Sequence, residues 1–261
     1  MRTVILLLAS VVVGCAAAPA TNRLETTPRH NEWVMIERDG RTIHTWVAYP
    51  EVSTKAPAVI LIHENRGLTE WERSVADKLA ENGYIALAPD MLSGMAPNGG
   101  RASDFASLDA AREAIGKLPP AQVMADLHAV ADYAKKIPAA DGTIRVGGFC
   151  WGGARTWLFA NDRKDLRAAF VFYGTGPQEA SGVAGITAPV YGFYGGNDAR
   201  VNATIPKSEE LMKAAGKTFD YVIYPGAGHA FMRWGAQAEA SPENKKAHDE
   251  SWARWLQLLR K

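Results

Sequence analysis

The sequence predicts an α/β fold, a mostly parallel sheet with helices on both faces, and three observations carry that expectation. Short apolar runs (Ala58–Ile62, Tyr84–Ala88, Ala168–Tyr173) alternate with longer amphipathic stretches, the pattern of buried parallel strands joined by helices. A glycine-rich turn, Gly148-Phe149-Cys150-Trp151-Gly152-Gly153, separates the strand-like Thr143–Val146 from the helix-like Gly153–Ala160. Two further polar residues, Asp198 and His229, each sit just past an apolar run. In such a sheet all three positions fall at carboxyl ends of strands, the edge where open α/β sheets bind ligands.

The elements follow in chain order. Trp33–Ile36 and Ile43–Tyr49 read as an antiparallel pair turned at Arg38-Asp39-Gly40. Ala58–Ile62 is a buried strand, Leu68–Asn82 a helix closed by Gly83, and Tyr84–Ala88 a second buried strand. Asp104–Ile115 and Gln122–Lys136 are helical. The latter carries Val123, Leu127, Val130, Ala134 and Ile137 on one face, as an amphipathic helix must. The strand Pro189–Tyr194, the helix Ile205–Ala215, the strand Phe219–Tyr224 and the closing helix Pro242–Leu259 complete the series. Between Met91 and Pro120 the pattern is least regular. Its Gly- and Pro-rich opening, Ser93–Arg101, reads either as a surface excursion or as a flap that contacts substrate.

The first residues read differently. Met1–Gly14 has one basic residue, Arg2, and an apolar run from Val4 to Val13, too short to span a membrane and suited to a secretory signal. Val12-Val13-Gly14-Cys15 resembles a lipobox, which would leave a lipid-modified Cys15 at the mature N-terminus. Cleavage among Ala16–Ala18 is the alternative. The expected organisation is a signal over 1–14, a tether over 15–31 and one domain over 32–261. The expected location is the cell envelope, as a lipoprotein or a periplasmic protein. The whole chain carries 29 Lys and Arg against 28 Asp and Glu, and loss of Arg2 leaves a net charge of zero. No basic stripe suggests a nucleic-acid partner. The domain is read as a monomer with no cofactor. No metal is expected, because the six histidines lack ligand spacing and His63-Glu64 lacks the second histidine of H-E-x-x-H.

Cys15 and Cys150 are the two cysteines of the sequence. With Cys15 lipidated, Cys150 is left as a free thiol in an oxidising compartment, a liability unless it has a role. The pattern G-x-Cys-x-G is a nucleophile elbow with cysteine in place of serine, and the chain order nucleophile, acid, histidine is met by Cys150, Asp198 and His229. His229 would take the thiol proton, and Asp198 would hold the imidazole in its tautomer.

Together with His63-Glu64-Asn65-Arg66-Gly67-Leu68, Ala88-Pro89-Asp90, Gly195-Gly196-Asn197-Asp198 and Gly228-His229-Ala230-Phe231, this elbow resembles the dienelactone hydrolase (carboxymethylenebutenolidase) family of α/β-hydrolases. The likeness runs from about Trp33 to the C-terminus. It implies hydrolysis of a small, possibly anionic, ester or lactone through an acyl-thioenzyme, with Cys150, His229 and Asp198 as the triad. It also implies oxyanion donors at Asn65 and Trp151, and a Glu64 that interacts with the resting thiol and moves when substrate binds. Arg233, four residues after His229, would hold a substrate carboxylate. A second arginine should come from the region before the elbow, where Arg101 and Arg112 both stand. Trp151, Tyr173 and Trp234 are aromatic candidates for the pocket wall. The export signal departs from the family pattern, so dienelactone itself is not the expected substrate. A thioesterase or peptidase-like enzyme on the same fold, and a lipid-anchored binding protein without catalysis, are the competing readings. The intact set of three polar residues argues against the last.

Overall fold

The computed structural model describes residues 23–261. One eight-stranded sheet runs through it in the order β1-β2-β4-β3-β5-β6-β7-β8. Strands β1 (Asn31–Arg38) and β2 (Arg41–Ala48) form the antiparallel hairpin. Its two-residue loop places Asp39 and Gly40 at positive φ, 48° and 78°, as a primed hairpin turn requires. β2 pairs antiparallel with β4 (Ile85–Pro89). From there β3 (Ala56–Ile62), β5 (Ala140–Phe149), β6 (Leu166–Phe172), β7 (Val190–Gly195) and β8 (Phe219–Tyr224) are all parallel. β4 is buried along its whole length and β3 along nearly all of it, which is why both read as unbroken apolar runs rather than alternating ones.

Helices close both faces. α2 (Glu70–Glu81) and α9 (Pro242–Leu259) pack on one, where Leu79, Trp252 and Trp255 join Phe149 and Phe172. α3 (Leu108–Lys117), α4 (Pro120–Lys136), α5 (Trp151–Asp162) and α7 (Ile205–Ala214) supply the other. The expected stripe of α4 is buried throughout, and each of its larger members contributes about 1.5–3 kcal/mol by leaving water. Two one-turn helices, α6 (Ala199–Asn202) and α8 (Phe231–Trp234), follow Asp198 and His229 directly. No helix among the described residues is long and apolar enough to cross a membrane.

Two expectations are corrected. The tether expected over 15–31 does not extend to its end, because residues 23–31 are folded onto the domain. The short helix α1 (Arg23–Thr26) and the chain after it converge on the fully buried carboxylate of Asp77 in α2. Arg23 Nε reaches it at 2.6 Å, Thr27 Oγ1 at 2.6 Å, and Arg29 binds both oxygens at 2.9 and 2.7 Å. Burial pushes the Asp77 carboxyl up, but the hydrogen bonds from Arg29 and Thr27 and both positive charges outweigh it, so its pKa lies below the ordinary value. The stabilisation is therefore present above the ordinary carboxylate pKa and is lost as the pH falls through the lowered one. Asp77→Ala should cost about 3 kcal/mol, because it strands the mostly buried Arg29 without its partner. Limited proteolysis should then cut within residues 23–31 at least tenfold faster. Unchanged cleavage would refute this docking.

Between Met91 and Pro120 the structure favours the surface excursion over the flap, and the second correction, a helix start, lies in the same segment. Asp90 pins the segment after β4, accepting from the N–H of Leu92 at 3.0 Å and of Ala102 at 2.7 Å. Arg41 of β2 donates to the carbonyls of Ser93 and Met91. The Gly94–Gly99 loop thus lies against the hairpin, beside Met35 and His44, and does not contact the cavity at Cys150. The helix expected from Asp104 begins at Leu108. Asp104 instead accepts from the N–H of Arg101 in a 3-10 turn, and Ser107 caps the helix.

Candidate active site

Cys150 sits at the turn between β5 and α5 with φ 55° and ψ −112°, a conformation that a side-chain-bearing residue adopts only when its surroundings impose it. Its N–H donates to the carbonyl of Phe172 at 3.0 Å. The flanking glycines are needed for close approach. A Cβ on Gly152 would stand 2.2 Å from the carbonyl oxygen of Ile62, and one on Gly148 would stand 2.3 Å from that of Gly152. Any side chain there would push the start of α5 away from the end of β3.

The ends of β7 and β8 bring the other two residues. Asp198 is buried, and its Oδ2 accepts from His229 Nδ1 at 2.5 Å. With Nδ1 so engaged, the imidazole's other nitrogen remains for Cys150, which is near enough to act on the ring's pKa. Burial pulls the imidazole pKa down and is the largest single influence. The hydrogen bond to Asp198 and the nearby Cys150 more than offset it, raising the value to about 9. At neutral pH the ring is therefore set to hold a proton.

A cavity of about 470 Å³ opens at this point, lined by Asn65, Cys150, Trp151, Ala154, Arg155, Tyr173, Thr175 and Arg200. Asn65 and Trp151 thus flank Cys150, where backbone donors to an oxyanion would stand. His63, just before them, is fully buried. Its Nδ1 donates to the carbonyl of Glu64 at 2.7 Å, and its Nε2 accepts from the N–H of Met91 at 3.1 Å. Its ring stacks on Trp151 with centroids 5.5 Å apart. That is a structural histidine.

Glu64 is buried but is not hydrogen-bonded to Cys150. Its Oε2 accepts from Arg233 Nε at 2.8 Å, and its Oε1 from the Tyr173 hydroxyl at 3.2 Å. Glu72 binds the Glu64 N–H at 3.1 Å. Burial and the nearby Glu72 push the Glu64 carboxyl up, against the pull of Arg233 and Tyr173. Arg233 is held between this carboxylate and the ring of Trp234, 4.1 Å from its centroid. The pair is largely buried, at 18% and 6% exposure, so breaking it should be costly. Arg233→Met should lose about 3–5 kcal/mol by stranding the carboxylate. Adding Glu64→Gln should recover most of that loss in a denaturant titration. If the double variant is as unstable as the single one, the pair carries no such coupling.

The arginines expected before the elbow lie elsewhere, and this is a correction. Arg101 stacks over Trp33 at 4.2 Å, because Asp90 fixes Ala102 next to it. Arg112 is exposed and pairs with Asp109 at 3.3 Å, one turn away on its own helix. Neither lines the cavity. Its arginines are Arg155 and Arg200, both after the elbow. Sequence reasoning missed them, although a charged residue one turn into α5, and another two positions past Asp198, were visible signals. Cys15 lies outside the described residues. No group of three or more potential metal ligands occurs among those described.

A mostly parallel sheet in this order, with a sharp strand-to-helix turn at Cys150 after β5 and loops carrying Asp198 and His229 after β7 and β8, has the α/β-hydrolase fold. A sequence model of the dienelactone hydrolase family matches residues 43–261. The chain belongs to that family and is a hydrolase of it. It is 37% identical over 214 residues to a "Putative carboxymethylenebutenolidase" of Methylorubrum extorquens, a match covering 76% of this chain and 71% of that one. A protein of the same name from Salmonella typhimurium is 31% identical over 260 residues, covering 92% and 93%. A crystal structure described as a "Putative Dienelactone Hydrolase" of Klebsiella pneumoniae superposes with a TM-score of 0.76 at 29% identity, covering 88% of this chain and 99% of the other.

Proposed function

We propose that this chain is an exported hydrolase of small carboxylic esters or lactones, with Cys150 as nucleophile, His229 as general base and acid, and Asp198 orienting the imidazole. The observation that carries the reading is that Cys150, at a strained strand-to-helix turn, neighbours an imidazole whose Nδ1 is held by the buried carboxylate of Asp198. The raised imidazole pKa favours transfer of the thiol proton to His229, and the N-terminus of α5 favours the resulting thiolate. Attack on the carbonyl carbon forms a tetrahedral oxyanion. The N–H groups of Trp151 and Asn65 are the donors for it, each contributing roughly 3 kcal/mol. His229 returns the proton to the departing alkoxide, leaving an acyl group on Cys150. Water, activated by the same imidazole, then releases the acid. Intact mass spectrometry with a slowly deacylating ester should show one acyl adduct, localised to Cys150. Turnover without any adduct on that residue would rule out the covalent route.

The Glu64–Arg233 pair suits a substrate carboxylate that competes for the guanidinium. A carboxylate arriving at Arg233 would release Glu64, and the family resemblance gives such a glutamate a part in controlling the thiol. Export rests on the apolar run and the Val12-Val13-Gly14-Cys15 pattern. Cells should incorporate labelled fatty acid into this protein and not into Cys15→Ala. A mature N-terminus at Ala18 or beyond would replace the lipid anchor with simple secretion.

A further inference from the structure

Two arginines on the wall of the Cys150 cavity have no partner that explains them. Arg155 is half-buried on α5, one turn past Trp151. Burial alone acts on its charge, lowering its pKa with no carboxylate to offset it, and its Nε is buried without a hydrogen bond. Such a cation is a net cost to the fold unless something binds it. Arg29, Arg41, Arg163 and Arg233 are also at least partly buried, and each rests on a carboxylate; Arg73 and Arg145 share with Arg155 the absence of an ion pair to a described residue, but neither lines the Cys150 cavity. Arg155 instead stacks on Trp151, 5.0 Å from its ring centroid, and Trp151 stacks on the fixed ring of His63. The guanidinium is thus held in place before any ligand arrives. Arg200, on α6 just after Asp198, is exposed on the same cavity wall and ion-pairs with no described residue. Thr175 adds a hydroxyl to the same cavity wall. Beyond Arg155 and Thr175 a second recess of about 190 Å³ is lined by Trp157, Leu158 and Pro177.

We infer that Arg155 and Arg200 form an anion subsite for a carboxylate of the substrate, separate from the Glu64–Arg233 pair. Two guanidinium groups match a carboxylate through paired N–H donors. The adjoining recess accommodates hydrocarbon on the far side of that carboxylate. The enzyme therefore prefers esters or lactones carrying a carboxylate on the α5 side of Cys150, and Arg155 and Arg200 set that specificity. The inference rests on the hydrolase reading above, and the experiment separates the two.

Purified wild type, Arg155→Met, Arg155→Lys, and Arg155→Met combined with Arg200→Ala are assayed on 4-acetoxybenzoate and on its neutral methyl ester, which share the acetyl group and differ in charge. The readout is the ratio of kcat/KM, anionic over neutral. That ratio should fall roughly ten- to a hundredfold in Arg155→Met and further in the double variant, mainly through KM. Arg155→Lys should recover part, since an ammonium lacks the fork. A ratio within twofold of wild type in the double variant overturns the subsite. Binding of 4-hydroxybenzoate to Cys150→Ala protein, followed by tryptophan fluorescence, reads the subsite without chemistry. Arg155→Met in that background should weaken binding by a similar factor, and added salt should weaken it as well. If neither ester is hydrolysed but binding depends on Arg155, the proposed small-ester mechanism fails and the subsite stands. If 4-hydroxybenzoate does not bind, the subsite fails whether or not the esters turn over.

Discussion

Cys150→Ala should reduce hydrolysis of an activated aryl ester to the uncatalysed background while leaving thermal unfolding within a few degrees of wild type. The loss is expected to be at least ~10³-fold, because the covalent route disappears and only binding and the oxyanion donors remain. The fold should tolerate the change, since alanine is smaller than cysteine and the neighbouring Gly148 and Gly152, which absorb the close backbone contacts, are untouched. Turnover near the wild-type rate would place the nucleophile elsewhere and end the proposed mechanism. A variant that fails to fold is recognised by its lost unfolding transition, and Cys150→Ser then serves as the second test.

His229→Ala should lose roughly 10³–10⁴-fold in kcat, because it removes both the acceptor for the thiol proton and the donor to the leaving alkoxide. Asp198→Asn keeps the shape but no longer stabilises the charged ring, and should lose less. The pH dependence provides a second readout. The folded imidazole has its pKa raised to about 9 from the ordinary 6.5. Its contribution to stability is therefore complete below pH 6.5 and disappears as the pH rises through about 9. In wild type the denaturation midpoint should fall across that window. In Asp198→Asn the fall should be flatter, since the hydrogen bond that raises the pKa is weakened. An unchanged slope in Asp198→Asn would mean that Asp198 does not set the charge of His229.

The residues legible from sequence share one property: each is announced by its immediate neighbours. Cys150 stands in a glycine frame between a strand and a helix, and Asp198 and His229 each follow an apolar run. The structure does bring these three together. Val123, Leu127 and Val130 were likewise readable from a spacing that a helix turns into a face. Glu64 was found by its motif, but its partner was not. It is buried against Arg233, 169 residues away. Of the two arginines before the elbow, Arg101 lies in a segment that Asp90 and Arg41 bind to the hairpin, and Arg112 pairs with Asp109 on its own helix. The stretch before Asn31 looked like a tether because it is small and polar, and its anchor, Asp77, is far along the chain.

By itself, the sequence determined the α/β class, the strand-end placement of Cys150, Asp198 and His229, and the family. These depend on periodicity and on backbone rules that act over a few residues. Only the tertiary structure decided which charges meet: Asp77 with Arg23 and Arg29, Glu64 with Arg233 and Tyr173, and Arg155 and Arg200 with no acidic partner at the cavity wall. The physical reason is range. Secondary structure follows from local dihedral preferences and the spacing of apolar side chains. The pairing of buried charges depends on which strand ends lie side by side and how each helix is rotated against the sheet, and both are settled by packing of the whole chain.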